Sequence, residues 1–454
     1  MYLIGSGAGF SGDRTDAPIK VVEAIAARGQ GGAIIFETMG ERTLALGQLA
    51  RLSDPEAGYE PLLEEFITPI LKQCIEAGIL IIGNFGCANP PAAARLLRRI
   101  AAAQGLAAVR IALVEGDDIL GKIDVATLPV WEGDAGLHRP DASPISANAY
   151  IGARSIAAAI TAGAQVVITG RVADPALVLG PLVAHYGWDW TDWDRLAAGT
   201  LAGHLLECGA QVSGGYFADP GFKDVPGLES IGFPIAEIEA DGSFVITKPA
   251  GTGGLVDRRT VTEQMLYEIH DPSSYLTPDV TLDITHVTLA EAGQDRVSVR
   301  GARGRPAPVT LKATVGFQGD VLGEAEISYA GPNAPARARL AGEVIKRRFA
   351  LRGLELRHRL DVIGLTSAFD DDNGTLLADL SLPEVGDVRL RLTVGDSNRA
   401  RVEAALREVN ALYCCGPAGG GGVRTRVTPR ICTVSYEVPR SMVQTSFRMM
   451  EDPI

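Results

Sequence analysis

Gln165-Val166-Val167-Ile168-Thr169-Gly170-Arg171-Val172-Ala173-Asp174 decides how the first half of this chain is read. Its apolar run is short and does not alternate, which suits a parallel strand buried on both faces. The turn after it delivers a guanidinium and a carboxylate. The pattern recurs upstream: Glu37 follows Ala33-Ile34-Ile35-Phe36, Asn84 follows Ile79-Leu80-Ile81-Ile82-Gly83, and Glu115 follows Val109-Arg110-Ile111-Ala112-Leu113-Val114. Helical stretches near 17–28, 59–77, 90–104 and 149–162 lie between these runs. Such alternation predicts a parallel sheet with right-handed crossovers. Open parallel sheets bind ligands beyond the carboxyl ends of their strands. Glu37, Asn84, Glu115, Arg171 and Asp174 are therefore expected in one polar cleft. The competing explanation is that loops are polar anyway and that Asp or Asn caps the following helix.

The texture changes after about residue 210. Gly and Pro thicken over 213–234, and alternating segments follow at 235–240 and 243–247, joined by the hairpin signal Asp241-Gly242. Further strands are expected at 279–290, 295–300, 309–317, 320–329 and 386–394, with helices at 334–351 and 398–411. The fold class expected is α/β: a parallel-sheet α/β domain over 1–212 carrying the cleft, then an α+β domain over 213–454 with a mainly antiparallel sheet and Gly-rich ligand or interface loops.

Length, charge and cysteine content narrow the function. At 454 residues the chain is long enough for two to three domains. The net charge of −13 argues against a nucleic-acid platform and against an anionic membrane surface. The six cysteines contain no C-x-x-C pair, so neither a zinc nor a dithiol redox signature is present. The six histidines show no metal-ligand spacing. No basic, apolar leader opens the sequence, and the longest uncharged run, between Arg154 and Arg171, is too short and broken to span a bilayer. The expectation is a cytoplasmic protein.

Several glycine-rich or charged stretches are candidates for chemistry. Gly5–Arg14 contains G-x-G-x-x-G at 7–12, with Glu37 where a ribose-binding acid would stand. The apolar run before it is short and no helix starts at Gly12, so the preferred reading is a loop aiming Asp13 and Arg14 into the cleft. Arg42 follows Glu41 at a helix start. The helix dipole accounts for Glu41 but not for Arg42, which suits a carboxylate or phosphate. Asn89 before Pro90 is a helix cap, whereas Asn84 has no such duty and suits an oxyanion. Lys248 precedes a turn containing Gly251, Gly253 and Gly254, whose amides suit phosphate, although the order is not that of a P-loop. Four consecutive glycines, Gly419–Gly422, imply close approach of a ligand or neighbour, or a flexible linker.

Taken together, Gly7–Arg14, Glu41-Arg42-Thr43, Thr169–Asp174, Ala198–Cys208, Gly214–Asp219 and Thr247–Gly254 resemble the acyclic terpene utilisation proteins of AtuA type. So do Tyr267-Glu268-Ile269, Asp271-Pro272, Tyr275, Pro278-Asp279-Val280 and the 416–424 run, which makes the resemblance span essentially the whole chain. It implies catabolism of acyclic terpenes or branched chains through CoA thioesters, with a lyase step on a 3-hydroxy-3-alkylglutaryl-CoA-type substrate. Under that reading Glu37 or Asp174 is the base, and Arg14, Arg42 or Arg171 holds the free carboxylate. Asn84 and glycine amides receive enolate charge. Lys248 with Gly251, Gly253 and Gly254, and the amides of Gly419, Gly420 and Gly421, contact the CoA portion.

CoA enters only as part of the substrate, and a divalent metal is an option without a histidine motif. The expected partners are a small-molecule or acyl-CoA substrate and further copies of the chain. Two other classes stay open: a nicotinamide-dependent oxidoreductase, and a non-catalytic subunit of an acyl-CoA-processing complex.

Overall fold

Short apolar runs become the core of one large sheet. The computed structural model describes residues 1–106, 108–131, 143–380 and 385–450. Eight strands are needed here: β1 (Tyr2–Ala8), β2 (Gly32–Phe36), β3 (Ile79–Gly83), β4 (Ile111–Glu115), β5 (Pro144–Ala149), β6 (Val166–Ile168), β7 (Ile235–Ile238) and β8 (Phe244–Thr247). The order β1-β2-β3-β6-β4 is parallel throughout. Ile34, Ile81, Val166 and Ile111 lie along it and are buried with Val21, Ile25, Phe66 and Leu97 of the covering helices. Burial on both faces explains why these runs do not alternate.

The expected helices form with two differences. The stretch expected over 59–77 divides into Leu63–Ile67 and Leu71–Ala77. Pro69 lies between them and has no amide proton to continue the hydrogen-bond ladder. The helix expected from 149 starts at Arg154, because β5 occupies the preceding residues. Asn89 caps Pro90–Ala103 by accepting from the Ala92 amide at 3.3 Å, as its place before Pro90 implied.

The chain forms two compact units, Met1–Gly316 with Thr433–Ile454, and Phe317–Cys432. The first departs from the expected division at 212. β7 pairs antiparallel with β1, and β8 with β7. Strands Arg296–Arg300 and Thr288–Gly293 continue that side, and Ser446–Met449 pairs antiparallel with β4 at the other edge. The result is a ten-stranded sheet. The Asp241-Gly242 hairpin forms, but it satisfies the open edge of β1 instead of founding a new domain.

The second unit is a four-strand arrangement in which Arg357–Ile363, Asp387–Asp396 and part of Thr310–Ala330 pair antiparallel, followed by part of Gly420–Pro439. Helices Ala334–Arg352 and Arg399–Cys415 pack on it around Ile327, Ile345, Leu390, Leu392 and Val409. The glycine run is not a free loop here. From Gly420 it is strand, and a Cβ on Gly420 would stand 2.9 Å from the Ile327 side chain. The Arg337 guanidinium donates to the Ala418 carbonyl at 2.6 Å. Among the described residues, no helix is long and apolar enough to cross a membrane.

Candidate active site

The first unit holds a cleft of about 1450 Å³. It lies beyond the ends of β1, β2 and β6, and the 267–278 and 308–312 segments complete its wall. Asp13, Arg14, Glu37, Arg42, Arg171 and Asp174 all line it. The opening G-x-G-x-x-G does not form a dinucleotide loop, because β1 runs through Gly5 and Gly7 to Ala8. These glycines serve packing: a Cβ on Gly7 would lie 2.6 Å from the Phe36 ring, and one on Gly9 2.3 Å from the Cys208 backbone. The turn is closed by Asp13, whose carboxylate accepts from the amides of Gly9 at 2.9 Å and Arg14 at 2.8 Å.

Arg171 is the centre of the site. It is 1% exposed and donates from Nε to the Val172 carbonyl at 2.8 Å, from Nη1 to the Met39 carbonyl, and from Nη2 to the Asp174 carboxylate. Its guanidinium lies 4.4 Å from the centre of the Tyr150 ring. Behind it, the buried Asp117 carboxylate accepts from the Arg171 amide at 2.8 Å and from the Asn148 amide group at 2.9 Å, which fixes the turn after β6. Burial raises the Asp174 carboxyl, and the Arg171 charge opposes the rise.

Glu37 leaves the end of β2 and is buried. One carboxyl oxygen accepts from the Met39 amide at 2.7 Å and from the Asn84 side chain at 2.9 Å. Burial pushes this carboxyl up to about 8, helped by the Asp174 charge and resisted by Arg171 and Asn84. Asn84 is fully buried, and its own oxygen accepts from the Thr38 amide at 2.8 Å. It does not line the cleft, which corrects its expected role: its hydrogen bonds hold Glu37 and the turn after β2, leaving it no place as an oxyanion donor.

Other charges divide into committed and free. The Tyr150 hydroxyl donates to Glu41 at 2.5 Å and Lys312 lies 3.2 Å from the same oxygen. Burial alone would raise the Glu41 carboxyl, but Tyr150, Lys312 and Arg171 together bring it down to about 2. Arg14 donates to the Glu229 carbonyl at 3.0 Å. Arg42 is exposed on the cleft wall and has no hydrogen bond or ion pair among the described residues.

Lys248, Gly251, Gly253 and Gly254 are not brought to this cleft. Lys248 is nearly buried, bonded to the Thr252 carbonyl at 2.9 Å and paired with Asp295 at 3.2 Å, so its charge closes its own turn. Gly253 sits against Gly227, where a Cβ would lie 1.9 Å from a carbonyl oxygen. Gly419, Gly420 and Gly421 belong to the second unit and do not line the cleft either. Cys87 is buried, and burial pushes its thiol up to about 12, which suits a packing residue and not a nucleophile.

Sequence reasoning missed Tyr150, Lys312, Glu207, Tyr267 and Tyr275, all of which line the cleft. Tyr150 and Lys312 carry no local signal, because they meet Glu41 only through folding. Glu207 had one: a His and a Glu three residues apart in the otherwise apolar end of helix Trp193–Glu207. Among the described residues, no group of three or more His, Cys, Asp or Glu side chains is arranged to hold a metal ion.

No curated protein matches the chain. The family described as "Acyclic terpene utilisation family protein AtuA" matches it over residues 2–449, nearly its full length. The chain therefore belongs to the AtuA family, which implies a role in acyclic terpene utilisation.

Proposed function

We propose that the chain is an acid–base enzyme of acyclic terpene or branched-chain acyl-CoA breakdown, acting as a carbon–carbon lyase on a 3-hydroxy-3-alkylglutaryl-CoA-type thioester. One observation supports this above the others. Two carboxyl groups beyond the ends of β2 and β6 have different partners, Asp174 bound to a buried guanidinium and Glu37 buried with amides and pushed up to about 8. Burial raises both, and the ion pair with Arg171 opposes the rise at Asp174; two carboxyls with unequal partners are how one site can hold both a base and an acid.

The step follows from that division. Asp174, whose ionised form the Arg171 guanidinium favours, takes the proton of the tertiary hydroxyl. The carbon–oxygen double bond forms as the adjacent carbon–carbon bond breaks, and the electron pair moves onto the leaving carboxymethyl group as an ene-diolate. Glu37, protonated, gives its proton to that carbon and releases the acid. Proton exchange between the two carboxyls and water restores both. Arg42, free on the cleft wall, holds the substrate carboxylate. Phe10, Trp131, Tyr216 and Leu276 line the same cleft and suit the alkyl chain.

The test is ligand-induced thermal stabilisation followed by turnover. At about 100 times its Kd a ligand adds about 2.7 kcal/mol, a shift of several degrees. A shift with CoA thioesters, and ketone formation from a 3-hydroxy-3-alkylglutaryl-CoA, is expected. A shift with NAD(H) alone would favour an oxidoreductase. No shift with either would favour a non-catalytic subunit, to be sought by co-purification.

A further inference from the structure

In the proposed step the tertiary hydroxyl oxygen gains negative charge as its proton leaves, and it ends as the ketone oxygen of the product. A fixed donor aimed at that oxygen favours the step. Among the described residues, four tyrosines line the cleft: Tyr150, Tyr216, Tyr267 and Tyr275. Tyr150 donates to Glu41 at 2.5 Å, and Gln211 and Glu268 engage the Tyr267 hydroxyl. Tyr216 is 88% exposed, so bulk water competes for its hydroxyl. Tyr275 differs from all three. It is half-buried, and its hydroxyl has no hydrogen bond among the described residues and is not enclosed by them. The open side of that hydroxyl is the cleft that the residue lines. A tyrosine hydroxyl in a partly buried place ordinarily finds a partner within the fold.

Rigid elements hold the Tyr275 ring. It begins the short strand Tyr275–Leu276, which pairs with Thr281–Asp283 and through it with Arg303–Arg305. That sheet is fastened to the start of helix Trp193–Glu207, where the Asp194 carboxylate accepts from the Gly304 amide at 2.9 Å and from Arg303 at 3.1 Å. Near the other end of the same helix, the His204 ring lies 5.5 Å from the Tyr275 ring. Beyond the strand, the Arg440 guanidinium donates to the Pro278 carbonyl at 2.7 Å. A donor locked by such contacts acts without reorganising. Burial raises the phenol well above its ordinary range, and Glu207, Asp174, Glu268 and Cys208 add to the rise. The hydroxyl therefore keeps its proton, and the base of the proposed step lies within electrostatic reach of it.

We propose that Tyr275 is a further catalytic residue, whose hydroxyl donates a hydrogen bond to the ligand oxygen that passes from tertiary alcohol to ketone. The phenol keeps its proton throughout, so the proton balance between Asp174 and Glu37 is unchanged. The inference rests on the lyase reading above, which supplies that oxygen.

The test removes one oxygen atom. Tyr275→Phe loses the hydroxyl and keeps the ring beside His204. The probes are acetoacetyl-CoA and free acetoacetate, each labelled with 13C at the ketone carbon. Thermal shift reads binding, and infrared difference spectra read the ketone stretch. In the native protein the band should move to lower frequency on binding. In Tyr275→Phe the bound band should lie higher, and turnover of a 3-hydroxy-3-alkylglutaryl-CoA should fall about 10²–10³-fold with KM little changed. Replacement of Tyr275 by 3-fluorotyrosine guards against a misfolded variant: the more acidic phenol should move the band further down. A bound ketone band that is the same in all three proteins overturns the proposal, and with acetoacetyl-CoA bound it leaves the thioester reading standing. Binding of acetoacetate alone, with a band that responds to position 275, overturns the thioester reading and leaves Tyr275 its role. Binding of neither probe overturns both.

Discussion

Buried carboxylates occur in both units, and their company differs. In the second unit Glu408 meets Arg348 at 2.9 Å and Arg352 at 2.5 Å, and Asp361 meets Arg359 at 2.9 Å and Arg391 at 2.7 Å. Burial would raise Glu408, but its two arginines reverse the sign and lower it. In the cleft of the first unit Glu37 and Glu207 have no arginine bonded to them, and both are raised. A carboxylate that serves the fold brings its own cations. A buried carboxyl without one is left to its desolvation, and its protonation becomes adjustable. Within the first unit Glu237 obeys the structural rule: Arg296 and Arg28 hold it low. The contrast is therefore between a site and its scaffold.

The comparison can be broken by substitution. The largest expected effect is on Asp174→Asn, which should cut turnover by about 10²–10⁴ in protein that still folds, with some loss of thermal stability from the unpaired Arg171 guanidinium. Loss of fold in place of loss of rate would make Asp174 a scaffold residue. Next is Leu392→Ala in the second unit, fully buried in its core. It should cost about 2–5 kcal/mol by denaturant unfolding and leave the ligand-induced shift of the cleft unchanged.

The pH dependence sharpens the contrast. Glu37 is raised from 4.5 to about 8. Its protonated form is then favoured by folding, so stability drains away as pH climbs from the unfolded value toward 8. Glu37→Gln should flatten that part of the stability curve. If the proposed step holds, turnover of the native protein should carry an alkaline limb near 8, because Glu37 would have to be protonated. A limb set elsewhere, unmoved by Glu37→Gln, removes Glu37 from the acid role. Glu408 is lowered, so its contribution has the opposite sign and is lost only on acidification below the ordinary carboxylate range. Glu408→Gln should lower the thermal midpoint and leave the alkaline limb of turnover in place.

The smallest effect is expected from Lys312→Met. Its pair with Glu41 is partly exposed, so the loss of stability should stay under about 1 kcal/mol. A larger loss measured by denaturation would mean that the Glu41–Tyr150–Lys312 cluster supports the cleft wall as a unit.

Short apolar runs and the turns between them made much of the architecture legible. The strands that form β2, β3 and β6, the helices at 17–26 and 90–103, and the hairpin at Asp241-Gly242 all answer to local rules: period, cap, breaker and turn. So did the convergence of Glu37, Arg171 and Asp174, because parallel strands place their ends together. The misses share a cause. Asn84 follows the same pattern as Glu37, but whether an amide faces a ligand or a neighbouring carboxylate depends on which strand lies beside it. Lys248 and the glycines of 251–254 and 419–421 look like anion cradles in one dimension and are filled by their own surroundings in three.

What the sequence by itself determined is the alternation of strand and helix, the set of strand ends that bear charged and amide side chains, and the family. These depend on residues near in the chain or on motifs kept in order. What only the tertiary structure decided is which side the hairpin joins, which carboxylates receive arginines, and which polar atoms are left without a partner. The reason is physical: pairing and desolvation are set by groups distant in sequence, such as Lys312 beside Glu41 or Asp174 acting on Glu207, and no local pattern encodes that meeting.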